Sequence, residues 1–451
     1  MPVHPIEWRY GSPEMRSIFD VESSLQRMLD VEAALAKALA GVGLVPKKDA
    51  KKIASCASIK KVKIERVRKL EQEFQHETMA VAMALAEVSG KSGRYAHFGA
   101  TSNDILDTAM ALQIRDGLGI IERQLRNLLV ILLHRALEHR NTIMVGRTHG
   151  QHALPTTLGL KLAIWASEIG RHLERLEQLK PRVLVGKMSG AVGTGAAWGE
   201  HAEKVQRLVM QELKLSPATA TNQIVQRDRL AELILFFGLL ASTLDKMARE
   251  VRNLQRTEIG EVAEPFAVQQ VGSSTMPHKR NPIRCEKICG LARILRGHAH
   301  AAMENVVLEH ERDLTNSSCE RVLLPESFLI MDEMLNTAIF VFSKLNVFPE
   351  QMKRNLEMTK GLNMAEAVMI ELTRRGMNRH EAHAIMRRCS AVAIANDQPL
   401  IEVLSREPAV TKFIPKEELG ELLDYRRYLG RAAAIVEKVV KDLEPHTRAQ
   451  S

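Results

Sequence analysis

The feature that most constrains the fold is a set of apolar stripes at helical spacing, several of them longer than an ordinary globular helix. One stripe occupies residues 118–136, and another runs through residues 230–257 without an internal proline. At a rise of 1.5 Å per residue, the second stripe predicts a helix of roughly 40 Å. Further long helices are predicted at 157–179, 283–302 and 323–344. Because we find no convincing strand alternation, we expect an all-α chain with a central long-helix bundle.

The length of the chain predicts more than one structural unit. At 451 residues it exceeds the size at which a single hydrophobic core stops growing. Polar residues interrupt the helical pattern near residue 100, and the long helices end near residue 350. We therefore expect an N-terminal helical domain at 1–100, a central long-helix domain at 101–350 and a C-terminal helical domain at 351–451.

Composition narrows the class of protein. With 45% hydrophobic and 26% charged residues, the chain has an ordinary globular composition. The uncharged apolar run at 233–244 is far shorter than the roughly 20 residues of a membrane span, and the N-terminus lacks the pattern of a secretory signal. We expect no membrane association and a cytoplasmic location.

Metal and redox chemistry are not expected. The five cysteines are scattered without a Cys-x-x-Cys pair, so they are predicted to be buried reduced thiols. Histidine pairs such as His298 with His300 lack the His-Glu-x-x-His pattern of a zinc site. We expect no catalytic metal and no cofactor.

A net charge of +9 allows two kinds of partner, a nucleic acid or a small polyanionic substrate. Aromatic residues make up only 4% of the chain, which argues against a base-stacking surface. The densest basic run, at 47–69, alternates with apolar residues and is predicted to be the solvated face of a helix. The expected partner is therefore a small anionic molecule and not a nucleic acid.

Chemistry-bearing residues gather where the helical pattern breaks, at 94–104, 145–155, 186–200 and 272–282. Small hydrogen-bonding residues surround three of the histidines, and neighbouring glycines permit close approach to a ligand. These histidines are His76, His97 and His149.

A second polar stretch, "LEHERDLTNSSCERVLLP", places Ser317 between Arg312 and Arg321. Guanidinium groups match phosphate and carboxylate oxygens in a bidentate manner, so this stretch is a candidate anion site. The alternative is a helical face on which these arginines pair with Glu309, Glu311 and Glu320.

The segment "GSSTMPHKRNP" at 272–282 resembles the signature loop of the fumarase/aspartase superfamily at every specified position of the Gly-Ser-Ser-x-Met-Pro-x-Lys-x-Asn-Pro pattern. Flanking segments resemble the adenylosuccinate lyase family in order along nearly the whole chain. They are "WRYGSPEMRSIF", "HFGATSNDILDT", "GRTHGQHALPTTLGLK", "TNQIVQRDR" and "ERDLTNSSCER".

The resemblance implies an all-α, three-domain fold whose long helices join those of other subunits in a homotetramer, with each active site shared between subunits. It also implies the substrates, which are nucleotides carrying a succinyl group. Adenylosuccinate would give AMP and fumarate, and succinylaminoimidazole carboxamide ribotide would give fumarate and the carboxamide ribotide. Neither a metal nor a cofactor is implied.

The resemblance assigns roles residue by residue. Ser273 matches the general base and His149 the general acid, while Lys279 and Asn281 match groups that hold the succinyl carboxylates. The full set of implied substrate-binding residues is Arg9, Tyr10, His76, Glu77, His97, Thr101, Ser102, Thr148, Gln223, Lys279, Asn281, Arg312, Ser317 and Arg321. One departure is visible, since Glu77 stands where relatives commonly carry aspartate.

Two alternatives remain at this stage. Another superfamily member, such as an argininosuccinate lyase or a carboxymuconate cycloisomerase, would share the signature loop. The segment from Arg312 to Arg321 argues against it, because a substrate without phosphate does not need this segment. A basic helical scaffold for nucleic acid would explain the charge but not the small polar residues at the helix breaks.

Overall fold

The computed structural model describes residues 4, 6, 8–266 and 275–447, and most of them are helical. The helices are α1 (Pro13–Phe19), α2 (Val21–Gly41), α3 (Lys47–Cys56), α4 (Ile64–Phe74), α5 (Glu77–Ser89), α6 (Ser102–Glu138), α7 (Leu158–Val183), α8 (Ala202–Leu213), α9 (Asp228–Leu254), α10 (Ile283–Glu304), α11 (Thr315–Ser343), α12 (Pro349–Glu357), α13 (Ala365–Arg374), α14 (Arg379–Ala395), α15 (Leu400–Arg406), α16 (Pro408–Thr411), α17 (Lys416–Leu422) and α18 (Ala432–Leu443).

Short strands form three two-stranded sheets. The strands are β1 (Ile143–Thr148), β2 (Gln151–Thr157), β3 (Val185–Gly186), β4 (Ser216–Pro217), β5 (Val262–Ala263) and β6 (Asn346–Val347). β1 pairs with β2 and β5 with β6 in antiparallel fashion, and β3 pairs with β4 in parallel. The all-α prediction is therefore confirmed for most of the chain, with the small sheets as additions that the sequence reading did not contain.

The chain divides into two compact units. The first contains Met1–Leu125, His172–Asp245 and Cys289–Asn336, and the second contains Arg126–Arg171, Lys246–Ile288 and Thr337–Ser451. The domain boundaries near residues 100 and 350 stay a prediction.

The apolar stripe of α9 packs into the core of the first unit. Leu233, Phe237 and Leu240 are fully buried. The ring of Phe237 meets that of Phe328 on α11 edge-on at 5.0 Å, and Phe19 at the end of α1 also lies 5.0 Å from Phe328. Aromatic burial of this kind dominates core energetics. It fixes α1, α9 and α11 against one another around the cavity described below.

In the second unit, α13, α14, α15, α16 and α17 enclose a separate apolar cluster. Val368, Leu372, Leu400 and Leu404 are its fully buried members on α13 and α15. The short lengths of these helices are compatible with stability because each buries its apolar face against the others.

The basic run at 47–69 differs from the predicted single helix, because it forms α3 and α4 with a break at 57–63. Its lysines are exposed while Ile53 and Val67 are buried, so the prediction of a solvated face is confirmed. Four cysteines are buried thiols outside any disulfide, as predicted, while Cys319 is partly exposed. In the described part of the chain, no helix combines the length and apolarity that crossing a membrane requires.

Candidate active site

The first unit contains a cavity of about 250 Å³ between α1, α2, α5, α6 and α11. Its apolar wall includes Phe19, Met28 and Leu106. Its polar wall combines cations, carboxylates, amides and hydroxyls, namely Ser24, Glu77, Asn103, Asp107, Gln113, Arg227, Arg312, Asn316, Ser317, Glu320 and Arg321. A concave cavity in which an apolar wall faces converging polar groups is suited to a small molecule, and the many charged groups here favour a polar one.

The start of α11 brings Ser317 and Arg321 to this cavity. The carboxylate of Asp313 accepts hydrogen bonds from the backbone N–H groups of Thr315 and Glu309, each at 2.7 Å. The hydroxyl of Thr315 and these two N–H groups lower the pKa of Asp313 to about 2. Asp313 thereby fixes the first turn of α11. Ser317 and Arg321 are four residues apart, so they lie on one face of the helix.

A buried ion network supports this face. The Nη1 and Nη2 atoms of Arg227 each lie 2.9 Å from an oxygen of Asp107 on α6. Its Nε and Nη2 atoms contact the Glu320 carboxylate on α11 at 2.8 and 3.1 Å. Burial alone would raise the pKa of Asp107, but the Arg227 charge outweighs burial and holds the pKa below its ordinary value. Arg227 therefore connects α6 to α11 beneath the cavity.

Arg312 keeps a hydrogen-bond donor unused. Its Nη1 atom donates to Gln223 Oε1 at 3.1 Å, while its buried Nε has no partner among the described residues. Its backbone has φ of 152°, a conformation that favours glycine and that clusters at functional sites in other residues. Burial, followed by the charge of Arg227, lowers the pKa of Arg312.

Arg321 forms an ion pair with Glu77 at the first position of α5. Glu320 forms its ion pair with Arg227 and not with Arg312 or Arg321. The described contacts therefore argue against the alternative in which these arginines pair with the neighbouring glutamates of the same segment. Glu77, the residue that departs from the family pattern, contacts the guanidinium that the sequence assigned to an anion.

His76 caps the N-terminus of α5. Its Nδ1 accepts a hydrogen bond from the backbone N–H of Met79 at 3.2 Å. In the neutral ring this leaves the proton on Nε2, since each nitrogen of a neutral imidazole has one role. Nε2 lies 3.5 Å from Ser102 Oγ, so two predicted site residues are neighbours.

His97 has a left-handed backbone with φ of 58° and is held by Glu32 on α2. One oxygen of Glu32 lies 2.6 Å from Nδ1, and the other accepts the backbone N–H of His97 at 3.1 Å. Burial lowers the pKa of His97, but the hydrogen bond and charge of Glu32, with Asp104, outweigh burial and raise it. Thr101 lies nearby, with its N–H bonded to Asp104 at 2.9 Å.

The candidate segment 186–200 is tied to the start of α6 through Asp104. The fully buried Nζ of Lys187 lies 2.6 Å from Asp104 Oδ1, which also accepts the N–H of Ser189 at 2.9 Å. The Asp104 carboxylate thereby supplies the opposite charge that a buried lysine side chain requires.

Arg9 and Tyr10 lie just before α1, in the first unit. The guanidinium of Arg9 stacks on Trp8 at 5.4 Å, and the carbonyl of Tyr10 accepts two hydrogen bonds from Arg16 at 2.9 and 3.1 Å.

In the second unit, Thr148 and His149 lie at the exposed tip of the hairpin formed by β1 and β2. The turn residues His149 and Gly150 both have positive φ, of 53° and 76°. Two positive-φ residues define the turn that suits the twist of a two-residue hairpin. Below the tip, Arg147 donates to the buried Glu261 at 2.7 and 3.0 Å.

The described end of the signature loop carries Lys279, which is exposed, and Asn281, which is partly buried. Gln255 anchors this end, because its Nε2 donates to the carbonyl of Arg280 at 3.1 Å and its Oε1 accepts the N–H of Glu264 at 2.9 Å. Ser273, the predicted general base, lies outside the described residues.

The structure thus gathers Glu77, Arg312, Ser317 and Arg321 at one cavity, with Gln223 bonded to Arg312. His76 and Ser102 are neighbours, and the other predicted site residues that the structure describes lie elsewhere in their units. Their roles stay predictions. Sequence reasoning missed Asp107, Arg227 and Asn316, although the segments that resembled the family contain all three. Within the described ranges, no group of three or more metal-ligating side chains is positioned to hold a metal ion.

Comparisons with known proteins agree with this fold. Residues 8–297 match a family model described as lyase, and residues 361–439 match the model for the adenylosuccinate lyase C-terminus. The chain is 56% identical to an adenylosuccinate lyase of Pyrococcus horikoshii and 51% identical to one of Methanocaldococcus jannaschii, covering 99% and 96% of those proteins and 99% and 98% of this chain.

Solved structures share the architecture. A fumarate lyase from Mesorhizobium is 37% identical with a TM-score of 0.90, over 98% of this chain and 100% of that one. A 3-carboxy-cis,cis-muconate lactonizing enzyme from Pseudomonas putida is 38% identical with a TM-score of 0.90, over 98% of this chain and 99% of that one. Fold and sequence together define a lyase of the fumarase/aspartase superfamily. Within it, the chain belongs to the adenylosuccinate lyase family and is a carbon–nitrogen lyase.

Proposed function

We propose that the enzyme eliminates fumarate from adenylosuccinate, releasing AMP, and from succinylaminoimidazole carboxamide ribotide, releasing the carboxamide ribotide. Both steps belong to purine biosynthesis, and we place them in the cytoplasm. The observation that carries the proposal is the cavity at the start of α11, where Arg312, Ser317 and Arg321 converge. The N-terminus of a helix with adjacent guanidiniums is suited to a phosphate.

In this proposal the substrate phosphate replaces the Glu77 carboxylate on Arg321. The exposed position of Arg321 leaves the guanidinium reachable, and the unused Nε of Arg312 offers a second donor. A phosphate dianion presents more oxygens than one carboxylate, so it can engage both arginines and the Ser317 hydroxyl.

The chemistry requires two charges to be stabilised. Removal of the proton beside a carboxylate places an extra electron pair on that carboxylate, and we assign Lys279 and Asn281 to hold it. Breakage of the carbon–nitrogen bond leaves the pair on the purine or imidazole substituent nitrogen, to which His149 gives a proton as general acid. Ser273 takes the carbon-bound proton as general base.

An alcohol is a weak base, so Ser273 needs help from its surroundings. A unit charge at 4 Å contributes roughly 4 kcal/mol at an effective dielectric of 20, which is too little by itself to ionise an alcohol at neutral pH. Several donors and the exclusion of water must act together.

We further propose a homotetramer of three-domain subunits with active sites shared between them. His149 stands at an exposed hairpin tip, where a general acid needs surrounding protein to exclude water. The long helices also carry exposed apolar side chains, including Ile164, Leu239 and Ile294. Such surfaces commonly mark contacts with other subunits.

A spectrophotometric assay of purified enzyme with adenylosuccinate tests the activity, and AMP and fumarate are the expected products. Argininosuccinate and 3-carboxymuconate serve as comparison substrates, since the fold is shared with enzymes acting on other molecules. Turnover of either of these but not of adenylosuccinate would reject the proposal. Ser273→Ala should lower kcat by several orders of magnitude and leave the oligomer intact, whereas near-normal turnover would remove Ser273 from the base role.

Mixing two impaired variants, assayed at substrate concentrations below the wild-type KM, tests the shared site. His149→Ala and Arg321→Met subunits, each impaired alone, should regain activity after subunit exchange if some sites in a hybrid receive both native residues. No recovery in hybrids verified by native mass spectrometry would show that the two residues act from one subunit.

A further inference from the structure

Asn316, the second residue of α11, has an amide that no part of the described protein satisfies. It is 1% exposed and its side chain lines the cavity. Neither Nδ2 nor Oδ1 has a hydrogen-bond partner among the described residues. Buried polar groups are nearly always bonded, because an unmade bond leaves the desolvation cost unrecovered. A bare amide in a cavity wall therefore indicates a ligand that completes it.

The neighbours of Asn316 restrict the chemistry of this ligand. The buried Nε of Arg312 is also unpartnered and belongs to the same cavity lining. Together the two side chains present N–H donors and one carbonyl acceptor. A phosphate or carboxylate oxygen satisfies the donors but has no hydrogen for Oδ1. A hydroxyl both accepts and donates, so it can bond to both unpartnered atoms of Asn316.

The other charged groups of the cavity are already engaged. Arg227 is saturated by Asp107 and Glu320, and Arg321 is paired with Glu77. Gln113 is engaged as well, because its Nε2 donates to the carbonyl of Ile18 at 2.8 Å and to Ser24 Oγ at 3.0 Å. Among the amides of the described cavity lining, Asn316 is the one whose two polar atoms both lack a partner.

We propose that Asn316 binds a ribose hydroxyl of the substrate and makes the enzyme select ribonucleotides over deoxyribonucleotides. The inference rests on the proposed function, in which both substrates are ribose 5′-phosphates. Their bases differ, one a purine and the other an imidazole. The sugar is the shared part that carries hydroxyl hydrogens, and it adjoins the phosphate assigned to Arg312, Ser317 and Arg321.

Calorimetric binding of AMP, 2′-deoxy-AMP and 3′-deoxy-AMP tests the assignment in the wild type, Asn316→Ala and Asn316→Leu. The wild type should bind AMP about tenfold or more tightly than one deoxy analogue, because that analogue leaves the amide unpaired. Both variants should bind AMP and that analogue equally. Asn316→Leu, which preserves shape and removes both unpaired atoms, should not lower the Tm of the ligand-free enzyme.

Gln113→Ala is the matched control, since it removes an already bonded amide from the same cavity and should leave the AMP to deoxy-AMP ratio unchanged. Three results would overturn the assignment: a wild type that does not discriminate or does not bind AMP, variants that keep the discrimination, or variants that weaken all three ligands equally. A lower Tm in Asn316→Leu would likewise point to a structural amide.

The fumarate assay separates this inference from the proposed function. If the enzyme discriminated between AMP and a deoxy analogue through Asn316 but released no fumarate from adenylosuccinate, the proposed reaction would be rejected. The ribose contact would still be supported. Fumarate release with discrimination independent of Asn316 would reject the contact alone.

Discussion

Arg321 and Glu77 form a pair whose two members should affect substrate binding in opposite directions. Arg321→Met removes a charged donor to the phosphate, so KM for adenylosuccinate should rise by roughly tenfold or more with a smaller change in kcat. Glu77→Gln removes the carboxylate that occupies Arg321, so KM should fall. Steady-state kinetics on both variants measures the two effects.

Arg123→Met is a matched control, because Arg123 also pairs with a glutamate and its side chain is 61% exposed, compared with 60% for Arg321. It should leave KM unchanged. An equal loss for Arg321→Met on a substrate lacking the phosphate would contradict the phosphate assignment. So would a rise in KM for both members of the pair.

The raised pKa of His97 makes part of the stability dependent on pH. In the folded state, burial opposes the charged form of His97, but Glu32 and Asp104 stabilise this form by more than burial costs. This contribution is fully present below the ordinary value of 6.5 and is lost as pH rises through the folded pKa. Asparagine tolerates the left-handed backbone at this position, so His97→Asn isolates the imidazole.

His97→Asn should therefore lower the free energy of unfolding more at about pH 6 than at about pH 9. Urea denaturation at both values measures the difference, with the exposed His380→Asn on α14 as control. A cost that grows with pH would show that the Glu32 contact does not favour the charged imidazole.

The sequence placed some site residues better than others. Arg312, Ser317 and Arg321 could be predicted because they lie within ten residues of one another in a distinctive stretch. The partnership of Asp107 with Arg227 could not, since 120 residues separate them and only the fold brings them together. For the same reason, the sequence could not show that Asn316 lacks a partner.

At the scale of elements, Arg227 connects α6 and α11 through two buried carboxylates. Arg227→Met would leave Asp107 and Glu320 buried without a counter-charge, and breaking a buried pair in this way costs about 3–5 kcal/mol. The free energy of unfolding from denaturant titration should fall accordingly. KM should also rise, because the face of α11 that carries Ser317 loses its support.

Arg182→Met provides the comparison, because Arg182 pairs with Glu232 at an exposed surface and should remain close to the wild type. If Arg227→Met proved as stable as Arg182→Met, the network would not be holding the two helices. If Arg227→Lys restored KM but not the free energy of unfolding, the effect on KM would depend on the positive charge alone.

The predicted helices match the structure where apolar residues recur continuously at helical spacing. They do not match at helix ends that are polar. α9 and α10 match the predicted spans closely, whereas α11 begins at Thr315, well before the predicted start at 323. Its first two turns, "TNSSCER", contain few apolar residues because they line a cavity. The β1–β2 hairpin was missed since its strands, "IMVGRT" and "QHALPTT", do not alternate apolar and polar residues regularly and contain Gly146 and Pro155, which are disfavoured within strands.

At the scale of the whole molecule, the apolar surface of the long helices predicts the oligomer. Leu239 on α9 is 49% exposed, and Ile294 on α10 is also exposed. Leu239→Glu should dissociate the proposed tetramer and abolish activity, because a buried unpaired charge opposes association. Light scattering after size exclusion measures the mass.

Ile394→Glu on α14 is the control, since Ile394 is even more exposed but lies on a shorter helix. It should preserve the oligomer. A tetramer that survives Leu239→Glu with full activity would show that this face of α9 is not a subunit contact. Dissociation by Ile394→Glu would instead assign the interface to the C-terminal helices.

The burial of four of the five cysteines has a practical consequence for following the enzyme at work. Cys319 is partly accessible and directly precedes Glu320 and Arg321 on α11. A maleimide dye would thus label the folded subunit at a single position, beside the residues that line the cavity. Its fluorescence would give a real-time signal of nucleotide arrival and departure without any engineered thiol.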